Sequence, residues 1–342
     1  MKVKMLRGGN IMEEKIAIIS KSQVEKYLSV SSVIDRVEQT YKWYAEDKII
    51  MPSKITLDMA SLNVPGWINS MPSYVQPCDI AGIKWVGGFI NNHKIGLPFI
   101  KAKIMLTDPR TGLMKALVDG DWISDMRTGA QTAVFAKYLA PKNTDIVAII
   151  GAGLQGYTTL VCLCELFKFK EVRICDIYSE ACKNFIAKAE KTVPCEIKAY
   201  NSTEEAVRDA DIIVTATTAD APLVMNDWVK PGALVSTIGS YQELDEELVF
   251  KADKVIVDHI EQHLHRGEFV KLFEEGRMKE NDFYGEFPNI ITGSLNGRES
   301  EKERIVISIV GMGCLDVSIA AMLYDIAVKD PENKLLIYNL AE

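Results

Sequence analysis

No apolar stretch in this 342-residue chain runs uninterrupted by charge for the roughly 20 residues needed to span a bilayer, so the sequence predicts no transmembrane helix. Nor is there a basic run: 39 Lys and Arg stand against 47 Asp and Glu, a net charge of −8. Such a balance lacks the phosphate-neutralising charge that drives nucleic-acid binding, and it gives no attraction to an anionic membrane surface. Neither partner is expected. Cys-x-x-Cys pairs are absent too, and the seven cysteines, at 78, 162, 164, 175, 182, 195 and 314, form no regular framework. That pattern fits reduced cytoplasmic thiols packed as small hydrophobes. Histidine is scarce, with four in all, and His259, His263 and His265 are the only cluster. Two of them at i and i+4 would share a helical face, but no glutamate stands where a zinc-protease helix needs one and no fourth ligand is evident. The segment reads as a solvated helix start, and no metal is assigned. The basic N-terminus is not followed by the apolar core of a secretory signal. Arg7-Gly8-Gly9-Asn10 resembles a translated ribosome-binding site, which leaves both Met1 and Met12 open as the start.

What the chain does have is ordinary globular composition, 48% hydrophobic and 25% charged, and length for two domains at roughly 150 residues each. No Gly/Ser/Pro-rich linker divides it, so the two should pack against each other with a cleft between. Asp145-Ile-Val-Ala-Ile-Ile150 is a β-branched, nearly all-apolar run, as a strand buried on both faces requires. A glycine turn and a helical pattern follow, and Val172-Arg-Ile-Cys-Asp176 closes a βαβ unit on an acid. Further short apolar runs at 195–199, 211–215, 233–238, 254–257 and 304–310 alternate with helical or turn patterns. Together they predict an α/β, doubly wound parallel sheet of the Rossmann kind. The first 130 residues differ: two amphipathic helices, near 22–29 and 31–47, precede closely spaced runs near 54–60, 66–75, 79–90, 100–107 and 113–119. Hairpin punctuation there indicates an antiparallel or mixed sheet, and the helical stretch from Trp122 to Leu139 should bridge the two regions.

Gly151-Ala-Gly-Leu-Gln-Gly156 fits G-x-G-x-x-G between a strand and a helix. The first glycine permits the tight turn, the second lets backbone approach a pyrophosphate at the helix N-terminus, and the third allows close helix packing. Asp176, twenty residues past Gly156, can accept hydrogen bonds from both adenosine ribose hydroxyls and would repel a 2′-phosphate. NAD is therefore favoured over NADP. Arg127, beside Thr128 and Gly129, offers a bidentate fork for a carboxylate near a helix start. Lys84 interrupts a β-branched and aromatic strand, where a lone lysine either faces solvent, the commoner case, or is buried with a purpose.

Taken in order, Ala81-Gly-Ile-Lys-Trp-Val86, Gly96-Leu-Pro98, Asp108-Pro-Arg-Thr-Gly112, Met126-Arg-Thr-Gly-Ala130, Ile150-Gly-Ala-Gly-Leu-Gln155 and Gly311-Met-Gly-Cys-Leu-Asp316 resemble the ornithine cyclodeaminase and mu-crystallin family. The resemblance covers the chain after Met12. It implies a Rossmann domain, 129–314, inserted into a discontinuous α+β substrate and dimerisation domain, 1–128 plus 315–342, and a homodimer. By the same resemblance Lys84 and Arg127 grip and polarise an amino-acid or imino-acid substrate. Lys54 stands where many members carry an arginine for the substrate carboxylate, and Met71 lines the same pocket. Thr128, Gly151, Gly153, Leu154, Gln155, Asp176, Thr217, Gly239 and Gly313 fall on the cofactor side.

One position departs from the pattern. Cyclodeaminases of the family carry an aspartate directly after the glycine that ends Ser236-Thr-Ile-Gly239, and this chain has Ser240, a poor general base without an activating partner. Glu243 and Asp245 are the nearby carboxylates that could replace it. The serine resembles the mu-crystallin branch and implies an NAD(P)-dependent oxidoreductase that interconverts an α-amino acid and its imino acid, as a dehydrogenase or ketimine reductase. An NAD-dependent cyclodeaminase and a cofactor-dependent small-molecule binding protein remain the alternatives.

Overall fold

The computed structural model describes residues 14–239 and 242–339. Its strands form two eight-stranded sheets. The second sheet is wholly parallel, in the order 197–199, 171–175, 146–150, 212–215, 234–237, 305–308, 254–257, 285–286. Its strands read as unbroken apolar runs because helices or loops cover both faces; every residue of Ile212–Thr215, Leu234–Thr237, Lys254–Val257 and Ile305–Ser308 is buried. The chain leaves the central strand Ile146–Ile150 first toward 171–175 on one side and later toward 212–215 on the other. That reversal opens a crevice at the carboxyl ends of the strands, where open α/β sheets bind ligands.

The first sheet is mixed. Its order is 336–339, 15–19, 114–119, 100–107, 80–88, 67–75, 49–50, with Ile55–Asp58 also paired to Trp67–Val75. The hairpin runs appear where the punctuation placed them. Three short strands that the pattern did not announce, Lys15–Ile19, Ile49–Ile50 and Leu336–Asn339, complete the sheet, and the first pairs parallel to Met114–Asp119. Register puts Met71, Lys84 and Ile104 side by side on one face. Helix Gly313–Lys329 covers that face. Its approach is close enough that a Cβ on Gly82 would lie 2.9 Å from Val317.

Helix Asp121–Leu139 joins the two sheets and has fourteen buried residues, which explains its weak amphipathicity: it is surrounded. It crosses helix Leu154–Leu166 so tightly that a Cβ on Gly129 would stand 2.5 Å from the carbonyl oxygen of Thr158. The helix carrying Arg127 is thereby fixed against the helix that begins at the glycine turn.

Candidate active site

A cavity of about 1460 Å³ runs between the sheets. Gly151, at the end of strand Ile146–Ile150, has φ +107°, and a Cβ there would meet the Ala216 carbonyl at 2.5 Å. Only glycine makes this turn without strain. Gly153 caps helix Leu154–Leu166, and nothing lies within 4 Å of where its Cβ would be. The missing side chain leaves room at a helix N-terminus, the arrangement that takes a phosphate against backbone N–H groups. Gly156 serves packing, since a Cβ there would be 2.2 Å from the Gly151 oxygen. Beyond the turn, the half-buried Asp176 accepts the backbone N–H of Ala152 at 2.8 Å and of Tyr178 at 2.9 Å. Its carboxylate is locked at the cavity edge with lone pairs to spare, so the residues present fit a dinucleotide.

At the other end stand the cations. Lys84 is 1% exposed, so the solvated reading of a lone strand lysine fails: helix Gly313–Lys329 covers its face of the sheet. Its ammonium lies 2.8 Å from Asp316 Oδ1 and donates to Ser124 Oγ at 2.7 Å. Burial and the adjacent Arg127 guanidinium outweigh the Asp316 carboxylate and bring its pKa down to about 8. Arg127 uses Nε on Asp316 at 3.3 Å and Nη1 on Gln131 Oε1 at 2.7 Å, and its guanidinium rests on Gly311, where a Cβ would be 2.7 Å from Nη1. Gly311, at φ +83°, is the residue that admits it. The Lys54 ammonium donates to the Val310 carbonyl at 2.6 Å and, among the described residues, pairs with no carboxylate. Burial, with Arg266 nearby, lowers its pKa to about 7.

Lys54, Met71, Lys84, Arg127, Thr128, Gly151, Gly153, Leu154, Gln155, Asp176, Thr217 and Gly239 all line the cavity. Gly313 does not. It opens helix Gly313–Lys329 against Met71, whose carbonyl would be 2.8 Å from a Cβ, so its small size serves helix-on-strand packing. Ser240 and the alternative start at Met12 lie outside the described residues. Neither acid near Ser240 reaches the cavity. Glu243 is fully buried and gathers the strand ends, accepting from Thr215, Thr217, Thr237 and Gly239, while Asp245 caps helix Glu246–Lys251. The histidine segment is a helix start, with His259 capping Ile260–His263, but it is not solvated: His259 and His263 are 5% and 0% exposed. No group of three or more metal-binding side chains occurs among the described residues.

Asp316, Ser124 and Gln131 are site residues that sequence reasoning left without a role. Asp316 had a signal, a carboxylate in the first turn of an otherwise apolar helix, which must be paired if buried. Gln131 had one only in its spacing, one turn after Arg127.

Buried cations at one end and a cradle for a dinucleotide at the other share one cavity, and the class is that of an NAD(P)-dependent oxidoreductase acting on amino acids and their imines. The model of the ornithine cyclodeaminase/mu-crystallin family matches residues 14–330, and the chain belongs to that family. It is 32% identical to an alanine dehydrogenase of Archaeoglobus fulgidus, over 91% of this chain and 95% of that one. The structure of Thermococcus litoralis Delta(1)-pyrroline-2-carboxylate reductase in complex with NADH and L-proline superposes with a TM-score of 0.88, at 33% identity over 92% of this chain and 98% of the other. An archaeal alanine dehydrogenase dimer with bound NAD gives 0.87, at 31% identity over 94% and 99%. No helix among the described residues is long and apolar enough to cross a membrane.

Proposed function

We propose that the protein reduces a small imino acid to its α-amino acid, and runs the reverse oxidation, with NAD as the preferred cofactor. The observation that carries this reading is the trio Lys54, Lys84 and Arg127 on the cavity wall, with Lys84 buried and poised to move a proton near neutral pH. Arg127 and Lys54 hold the substrate carboxylate, and Met71 packs beside it. Lys84 keeps the proton that the substrate nitrogen takes up on reduction, and Asp316 and Ser124 aim its ammonium. The nicotinamide, when bound, supplies or accepts the hydride. Gly151, Gly153, Leu154 and Gln155 take the pyrophosphate, Asp176 the adenosine ribose, and Thr128, Thr217 and Gly239 border the nicotinamide half. An acid at the ribose end supports NAD over NADP. Ser240, where a cyclodeaminase has aspartate, supports the oxidoreductase over cyclodeamination. In a pure carrier, the buried Lys84 would have no proton to deliver.

The sheets support a Rossmann domain, 129–314, inserted into a substrate and dimerisation domain of 1–128 plus 315–342. A homodimer is supported by the outer face of the first sheet, where Ile55, Leu57, Trp85 and Leu117 are 70, 52, 50 and 37% exposed on one side by register. All seven cysteines are free thiols, which supports a cytoplasmic location. The test of function is the absorbance of reduced nicotinamide with purified protein and a panel of cyclic imines, and of 2-oxo acids with amines. Consumption with at least one supports the reading; tight NADH binding with none consumed favours the carrier.

A further inference from the structure

We propose that Gln131 is the positioning residue that sets Arg127 and Lys54 in a common frame, so that the two cations meet one carboxylate. Gln131 is fully buried, on the helix that joins the sheets. Its Oε1 accepts Arg127 Nη1 at 2.7 Å, and its Nε2 donates to the Tyr41 hydroxyl at 2.6 Å and to Asp258 Oδ2 at 3.4 Å. Asp258 is also fully buried, at the end of strand Lys254–Val257. It accepts the Gly311 N–H at 2.7 Å and the Val310 N–H at 3.3 Å. Val310 in turn offers its carbonyl to Lys54 at 2.6 Å, and Gly311 supplies the surface on which the Arg127 guanidinium lies.

One amide therefore holds both lines. Through its oxygen it orients the fork of Arg127, and through its nitrogen and Asp258 it steadies the turn whose Val310 carbonyl holds the Lys54 ammonium. The groups joined come from different elements: Tyr41 from helix Val30–Ala45, Lys54 from the first sheet's side, and Asp258 and Gly311 from the strand ends of the second. The polarity matters, because Arg127 needs an acceptor and Asp258 a donor, and an amide supplies both within one side chain. Neither end of Gln131 touches the cavity, so it acts only through Arg127 and Asp258.

The effect on substrate rests on the function proposed above, whereas the position of the guanidinium does not, and the test reads both. Gln131→Met keeps the volume and removes all three bonds. The expected result is a tenfold or greater rise in KM for the amino or imino acid, with kcat within threefold and KM for NADH within twofold. In crystal structures of wild type and variant, Arg127 should leave Gly311. Tyr41→Phe, the milder change should Gln131→Met not fold, raises the same KM about threefold. A role in packing alone lowers Tm and leaves KM untouched. An Arg127 that stays on Gly311 in Gln131→Met, or a KM within twofold of wild type in both Gln131→Met and Tyr41→Phe, overturns the proposal. If the wild type turns over no imino or amino acid, the proposed function fails by itself, and the crystallographic position of Arg127 still decides this one.

Discussion

The ammonium of Lys84 and the carboxylate of Asp316 meet at 2.8 Å with both side chains shut from solvent, at 1% and 0% exposure. Asp316 is the element that keeps Lys84 charged. Desolvation and Arg127 pull its pKa to about 8, and the carboxylate is what prevents a further fall. Asp316→Asn should therefore lower the Lys84 pKa below 8. With the role proposed for Lys84, reduction needs the ammonium form, so the alkaline limb of kcat/KM should move to lower pH. The variant also leaves two buried cations without their counter-ion, and unfolding experiments should show a loss of about 3–5 kcal/mol.

Lys54 gives a second limb. Its pKa of about 7, below the ordinary 10.5, means that it carries charge below neutrality and loses it as pH rises through about 7. Affinity for the substrate carboxylate should weaken over that interval. Lys54→Arg keeps the charge throughout, because a guanidinium does not titrate there. KM for the amino or imino acid should then be flat from pH 6 to 8, where the wild type rises severalfold. The same rise in Lys54→Arg would show that another group is responsible.

The two glycines of the turn should separate fold from ligand. A methyl at Gly151 enters both a positive-φ position and the Ala216 carbonyl, so Gly151→Ala lowers Tm. At Gly153 it meets no protein atom, so Gly153→Ala keeps the wild-type Tm within a degree or two while KM for NADH rises tenfold or more. Asp176→Ser, which removes a charged acceptor, should raise KM for NADH about tenfold, in line with roughly 1.4 kcal/mol. An unchanged KM in either variant contradicts the cofactor placement.

The exposed apolar face of the first sheet predicts a second copy against it. Light scattering on the wild type should give twice the 38.2 kDa chain mass, and Trp85→Glu, a charge in the middle of that face, should give the monomer. A monomeric wild type refutes the interface.

Much of this architecture could be read from the sequence because its signals are local. The strand 146–150, the glycine turn and Asp176 are consecutive features of one βαβ unit, and the hairpins before residue 120 carry their own turns. The strands Lys15–Ile19 and Leu336–Asn339 were not legible, since a short edge strand is defined by a partner distant in the chain. The site shows the same division. Lys84 and Arg127 stand in motifs, but whether Lys84 faces solvent or core depends on a helix that begins more than two hundred residues later. Gly313 illustrates the converse: a glycine in a motif looks the same whether it admits a ligand or, as its contact with Met71 shows, a neighbouring strand. Glu243, Asp258 and Gln131 bond across elements that only folding brings together.

The most direct test of the account is Lys84→Ala, with NADH oxidation and NADH binding measured on the same preparation. Arg127 still pairs with Asp316 in that variant and the glycine turn is untouched, so the dissociation constant for NADH, from nicotinamide fluorescence, should stay within twofold of wild type. Turnover of the imino acid that the wild type reduces best should fall at least a thousandfold, a loss of about 4 kcal/mol in transition-state stabilisation. Turnover within tenfold of wild type would contradict the assignment of Lys84 as the proton-carrying residue.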